Sequence, residues 1–451
     1  PDFAAGAMEN WGAITFREIL LLIDESKTSA ALQKRAAEVI AHELWHQWSG
    51  NLVTMDWWND LWLNESFATY MAYKAVADYK PEWKIWNEYI SSELASGLFK
   101  DSLKTTHPIE VEIKNPDEIE EVFDEISYAK GGCVLRMLEN YIGNDFFREG
   151  VSHYLKKHSY SNAKASQLWE AIAEKSKNNK IKDIMKSWIS EPGHPIVSIE
   201  KNQDGLKISQ KRLNKDTNQL WPIPLSIFAD NKIKKFLLEK KEEIYSIKES
   251  NIKSNYGQFG FYRTKYSKEL LENLGLLIKN KKLEEQDRWG AENDLWALCN
   301  ISEETVENYL FFMENYMNET NYNILSEIVG SIRKLDRLYY YEPWWPNVKE
   351  KIVKKFLPIY KKQLKNLGWS RINGEPLENA LMRNLCVSFC GFAMDEEVVQ
   401  EAKRIFMSKK IELDIASGVY STIALNGSDK EFKEMLSRYG GEKEVEHQLR
   451  L

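Results

Sequence analysis

His42 and His46 stand four residues apart in the run Glu38-Val-Ile-Ala-His-Glu-Leu-Trp-His-Gln-Trp48. On a helix that spacing puts both imidazoles on one face, one turn apart, where they can share a metal ion. Glu43 between them is offset to the neighbouring side, where it can act as a base beside the metal. The chain holds 7 histidines, so a chance His-Glu-x-x-His is expected only about 0.01 times. Catalytic zinc needs a third protein ligand and an open fourth position. The candidate is Glu65 in Leu63-Asn-Glu-Ser-Phe-Ala68, which follows His46 after an 18-residue spacer. Its neighbours Trp62, Leu63 and Phe67 argue against an ordinary solvated carboxylate. Such a set leaves a water on zinc with a pKa near about 7. With Glu43 taking its proton, the chemistry is metal-assisted attack on a peptide carbonyl.

Two helices must position these groups. Apolar residues at i, i+3 and i+4 predict one over 30–48 and another over 61–79, and a reversal at 52–59 brings Glu65 back beside the imidazoles. Residues 12–23 read as a strand, 115–128 as a helical run opened by Asn115-Pro116, and 133–141 as an apolar helix behind Gly131-Gly132. Glu191-Pro-Gly-His-Pro195 is a break. After it, period-two runs such as Ile196-Val-Ser-Ile and Leu225-Ser-Ile-Phe predict a small β-sandwich. From 271 onward amphipathic helices follow one another, as in an α-solenoid. The expected fold class is therefore multidomain α+β. Residues 1–194 form a mostly helical catalytic domain, 195–270 a β-sandwich and 271–451 a helical superhelix. Three units also suit 451 residues at about 150 per domain.

Composition narrows the partners. With 61 basic against 68 acidic side chains the net charge is −7, which offers no basic face for nucleic acid. No apolar run is long enough to cross a bilayer. Cys133, Cys299, Cys386 and Cys390 lack metal spacing and read as reduced core cysteines of a cytoplasmic protein. Nothing marks an oligomeric state.

Three motifs in order, Gly6-Ala7-Met8-Glu9-Asn10, His42-Glu-Leu-Trp-His46 and Asn64-Glu-Ser-Phe-Ala68, resemble the M1 family of zinc aminopeptidases. Ile126-Ser-Tyr-Ala-Lys-Gly131 looks like the family's tyrosine segment, Glu191-Pro-Gly-His-Pro195 like its exit from the catalytic domain, and Gly260-Phe-Tyr-Arg263 like its β-sandwich. The likeness covers residues 1 to about 300 closely and the rest in character. Within the family it is most like the cytosolic branch of tricorn-interacting factors and puromycin-sensitive aminopeptidases.

The resemblance implies a thermolysin-like catalytic domain of the gluzincin type and one zinc ion per chain. It implies peptides with a free N-terminus as partners. Glu9 would bind the substrate's α-ammonium, Gly6, Ala7, Met8 and Asn10 would line the peptide, and the Tyr128 hydroxyl would stabilise the oxyanion. Family members carry a β domain before Gly6-Ala-Met-Glu-Asn, so the chain is expected to be the later part of a longer enzyme. Residues 442–451 read as mid-helix in character.

Two other functions compete with the aminopeptidase. One is a fragment that binds zinc without turnover. The other is an epoxide hydrolase of the same superfamily, against which Ala7 speaks because that branch has a second glycine there. The remaining features have plainer readings. His107, His153, His158 and His194 have no ligand partners at useful spacing and read as structural. The acidic run 110–125 and the lysines of 175–182 read as solvated faces. Trp344-Trp345 reads as a packed turn, with an aromatic lip over a cavity as the alternative.

Overall fold

A computed structural model describes residues 6–441 apart from 25–27, 215–216, 373 and 409, so the run 442–451 lies outside the described residues. The architecture is mixed α+β and mostly helical. Helices dominate up to residue 190 and again from 268, and most of the strands lie between them.

The Ala30–Trp45 helix starts where the Ser29 side chain accepts a bond from the Leu32 amide, which satisfies one of the free N–H groups of the first turn. A second acceptor is distant in sequence: the Asp414 carboxylate takes the Ala30 amide at 2.9 Å. The Leu61–Tyr79 helix is buried nearly all round, from Trp62 at 1% exposed to Tyr73 at 5%. Trp45 stacks on Phe67 between the two helices, with centroids 5.8 Å apart. Trp62 stacks on Trp169 at 5.4 Å behind them. Each such buried ring adds roughly 1.5–3 kcal/mol. The link between the helices is tied down by Val53–Met55, which pairs in parallel with Ser161–Ala163.

Beyond Glu191 the chain forms a four-stranded sheet and a three-stranded one. In the first, Pro195–Asn202 lies between Gly205–Arg212, antiparallel, and Arg263–Tyr266, parallel. In the second, Ile223–Ala229 is central and buried at every residue. Alternation is clearest in Gly205–Arg212, where Leu206, Ile208 and Gln210 are buried and Lys207, Ser209 and Lys211 between and after them are less so. The helices of 268–441 bury Trp289, Tyr309, Tyr316, Tyr360, Cys386 and Cys390. Asp395 caps one of them by accepting from Val398. Among the described residues no helix is long and apolar enough to cross a membrane.

Two sequence expectations change here. Over 12–23 the structure has a two-residue strand, Thr15–Phe16, and then a short helix, Glu18–Leu21. Its described partner, Ala7–Met8, supplies ladder bonds for two residues only, and past Phe16 the chain bonds to itself, Leu22 N to Glu18 O at 2.8 Å. Over 115–128 the helical run is broken into a 3-10 stretch, Pro116–Val122, and a π-helical turn, Ile126–Lys130. Asp124 interrupts it by accepting from the amides of Ile126 and Ser127, the local competition by which Asp disfavours helix interiors.

Lys130, Asp101 and His194 are each fully buried where the helical part meets the first sheet. Lys130 Nζ lies 3.0 Å from the Asp101 carboxylate. The same carboxylate group takes the Gly193 amide at 2.8 Å and the Thr106 hydroxyl at 2.7 Å, with His194 Nδ1 at 3.3 Å. Burial alone would push the Asp101 carboxyl up, but Lys130 and then His194 outweigh it and hold it below the usual range. Removing one partner of a buried pair leaves the other charge uncompensated. Lys130→Met is therefore expected to lower stability by about 3–5 kcal/mol, read from the midpoint of urea unfolding. A midpoint equal to that of the unmodified protein would show that the pair is energetically idle.

Candidate metal centre

The last turn of the Ala30–Trp45 helix presents His42 and Glu43, and His46 is its C-cap. Glu65 arrives from the first turns of the Leu61–Tyr79 helix. His42 Nε2 lies 2.9 Å from His46 Nε2 and 3.3 Å from Glu65 Oε2, and His46 Nε2 is 3.5 Å from the same oxygen. Among the described residues these are the one group of three donors placed to share an ion. Zinc bound at about 2.0–2.2 Å in tetrahedral geometry separates its ligand atoms by roughly 3.3–3.5 Å; both His–Glu separations match this, and the two imidazoles, at 2.9 Å, would open slightly to admit it.

Each histidine ring is backed by an outer partner on its Nδ1 side. His46 Nδ1 donates to the Ser49 carbonyl at 3.1 Å, and His42 Nδ1 faces the Thr69 hydroxyl at 3.4 Å. Each Nε2 faces Glu65, and with its Nδ1 backed by an outer partner it would be the atom that ligates a metal. The turn after His46 needs Gly50, at φ +130°, where an added Cβ would press on the His46 ring and carbonyl. Ser49 also ties this turn to the partner helix by donating to the Leu63 carbonyl at 2.8 Å.

The charges favour a cation. Burial would push Glu65 up, but bonds to His42 and His46 outweigh it and bring the carboxyl down to about 2. Burial would lower His46, yet Glu65 and then Glu9 raise it to about 9. A bound metal ion would take the place of that proton. Glu43 is 5% exposed, and its Oε2 has no hydrogen-bond partner. Burial, with Glu9 and Glu65 nearby, pushes its carboxyl up to about 7. It stands beside the donors without joining them.

Glu9 reaches the group from a hairpin. Ala7–Met8 pairs with Thr15–Phe16, and the Gly6 carbonyl accepts the Arg17 amide at 2.9 Å. The Glu9 carbonyl accepts from Asn51 at 2.8 Å and Gln47 at 3.4 Å, and its carboxylate comes within 4.0 Å of His46 Nδ1. Gly6, Ala7, Met8 and Asn10 form the hairpin that carries it, with Met8 42% exposed. Tyr128 comes from the π-helical turn, and its ring stacks over His42 with centroids 6.2 Å apart. Burial and then Glu65 push its phenol well above the usual range, so it stays a donor.

The structure thus gathers His42, His46, Glu65, Glu43, Glu9 and Tyr128 in one place. It adds Ser49, Thr69, Gln47 and Asn51, which sequence reasoning missed. Thr69 carried a signal, since it lies four residues after Glu65 and so on the same helix face. The other histidines engage elsewhere: His107 and His194 with Asp124 and Asp101, His153 with Glu174, and His158 against the Tyr154 ring. Trp345 is buried and opens a helix, with Trp344 half-exposed beside it.

Two helices offering His, His and Glu donors, with a further carboxylate alongside, could hold one metal ion in the manner of hydrolytic zinc sites. Comparison with known proteins assigns it more narrowly. Residues 1–188 match the peptidase family M1 domain and residues 251–451 the ERAP1-like C-terminal domain. The chain belongs to peptidase family M1. It is 44% identical over 339 residues to tricorn protease-interacting factor F2 of Thermoplasma acidophilum, covering 74% of this chain and 42% of that protein. It is 38% identical to leucyl aminopeptidase of Saccharolobus solfataricus, over 100% of this chain and 55% of the other. Aminopeptidase M1 of Arabidopsis thaliana is 35% identical over 97% and 53%. The chain thus spans about half the length of these curated relatives.

Metal-free protein titrated with zinc is expected to take up one equivalent and to gain thermal stability as the site fills. Glu65→Gln should weaken binding by more than the about 10–100-fold that outer partners contribute. Unchanged affinity in a competition titration would remove Glu65 from the ligand set.

Proposed function

We propose that the protein is a zinc aminopeptidase that removes the N-terminal residue of peptides. His42, His46 and Glu65 would hold the ion, and bound zinc would polarise the scissile carbonyl and lower the pKa of water. Glu43, buried with one oxygen unpartnered, takes a proton from the attacking water and later passes it to the leaving amine. The Tyr128 hydroxyl donates to the developing oxyanion. Glu9 binds the α-ammonium of the substrate, where a desolvated carboxylate opposite a cation is worth most. Gly6, Ala7, Met8 and Asn10 offer an extended edge along which the first residues of a peptide lie.

The observation that carries this reading is the approach of the Glu9 carboxylate to within 4.0 Å of His46. An ammonium held by Glu9 would lie beside the donors, as cleavage after the first residue requires. The relatives named as aminopeptidases support the same reading, and the name of the Thermoplasma protein makes a partner protease a further expectation. We assign residues 1–194 to a thermolysin-like catalytic domain, 195–270 to a β-sandwich and 271–451 to a helical superhelix. A cytoplasmic setting suits the unpaired thiols of Cys133, Cys299, Cys386 and Cys390.

Hydrolysis of an aminoacyl anilide is expected to stop on chelation and to return with zinc. Glu43→Gln should keep its zinc and lose about 10²–10⁴-fold in kcat. An Nα-acetylated peptide should resist cleavage; if it is cut as fast as the free one, Glu9 has another role. Tyr128→Phe should lower kcat by about 10²–10³-fold and leave KM nearly unchanged. An effect confined to KM would place the phenol in ground-state binding instead.

A further inference from the structure

We propose that Ser66 is a positioning residue that sets where Tyr128 stands relative to the metal ligands. The proposal rests on the reading of Tyr128 as the oxyanion donor. Ser66 follows Glu65 directly and is completely buried. Consecutive helix residues point roughly 100° apart, so the Leu61–Tyr79 helix aims Glu65 at His42 and His46 and Ser66 at the next element. That element is the π-helical turn Ile126–Lys130, and the Ser66 hydroxyl donates to its Ser127 carbonyl. The bond joins the residue after a metal ligand to the residue before the tyrosine.

The turn is otherwise held at its ends. Asp124 takes the amides of Ile126 and Ser127 at its start, and Lys130 is anchored to Asp101 at its finish. Between them the Ser66 bond fixes the depth at which the Tyr128 backbone lies. Gly131 shows how close the approach is, for a Cβ there would land on the Ser66 hydroxyl. A π-helical turn at this point is itself a common feature of functional sites. Because Glu65 and the Ser66 latch share one helix, the turn that carries the phenol is referenced directly to the Glu65 carboxylate. A buried serine merely satisfied by the nearest carbonyl would affect stability alone.

Ser66→Ala separates these cases. It is expected to bind zinc with unchanged stoichiometry, keep KM within about twofold and lose about 10–100-fold in kcat, the scale of a small misplacement of a reacting group. In a Tyr128→Phe background the same change should have no further effect on kcat, since the latch acts through the phenol. Ser66→Cys, of similar volume and with a weak donor, should recover part of the rate. A fluorine label on the Tyr128 ring, read by NMR in metal-free protein, should give one narrow line that broadens or splits in Ser66→Ala. An unchanged line, an equal loss in the Tyr128→Phe background, or a Ser66→Cys variant no better than Ser66→Ala would overturn the proposal. If Tyr128→Phe itself leaves kcat unaltered, the oxyanion reading fails, and the fluorine line still decides the latch.

Discussion

Three carboxylates and two imidazoles are held out of water within a few ångströms of each other, and much of the structure serves to keep them there. Charged groups without partners are costly in a low-dielectric interior. Glu65 answers that cost through both imidazoles, and His46 holds a proton up to about 9 because Glu65 and Glu9 surround it. The field therefore favours positive charge, and His42, His46 and Glu65 would hold a divalent ion there. Glu43 stays outside the coordination set and keeps an oxygen free. That difference between two buried glutamates, one among the grouped donors and one outside them, is what the proposed division between holding a metal and acting as base rests on.

Precision at the site comes from tethers rather than from the ligands alone. The histidine helix ends at the site, and the following turn is stitched back through Ser49 to the Leu63 carbonyl. The hairpin bearing Glu9 is held by Asn51 and Gln47 through its backbone, which leaves the carboxylate free to face a ligand. At the other end of the helix Asp414, from the C-terminal helical region, accepts the first amide. Arg136 reaches the opposite way, from the helical part to the Gly257 carbonyl at 3.2 Å with its guanidinium over Phe259. Such links let distant segments of the chain bear on one metal centre without touching the substrate.

Legibility followed the range of the forces involved. The donor set could be read because helical periodicity is local: His42, Glu43 and His46 lie within one turn, and the aromatic and aliphatic neighbours of Glu65 announced its burial. The helix over 61–79 was readable for the same reason. The stretch 12–23 was misread as a strand because strand length is set by a ladder partner, and the Ala7–Met8 pairing serves two residues. The stretch 115–128 was misread because the Asp124 side chain competes for the amides a helix would use. Asn51 and Gln47 carried no pattern, and Ser66, though inside the Asn64–Ala68 motif, gave no sign of its partner, since each acts through a backbone carbonyl distant in sequence.

What the sequence determined by itself was the chemistry on offer: two imidazoles and a base on one turn, a third ligand on the next helix, and apolar faces that force those helices together. These follow from bond geometry and solvent exclusion, which act over a few residues. The tertiary structure decided which carboxylate joins the two imidazoles, which stands apart, how near Glu9 comes to His46 and that Ser66 meets the turn carrying Tyr128. Those depend on contacts across tens to hundreds of residues, where a one-ångström shift changes a bond into a gap. No spacing rule along the chain encodes such distances.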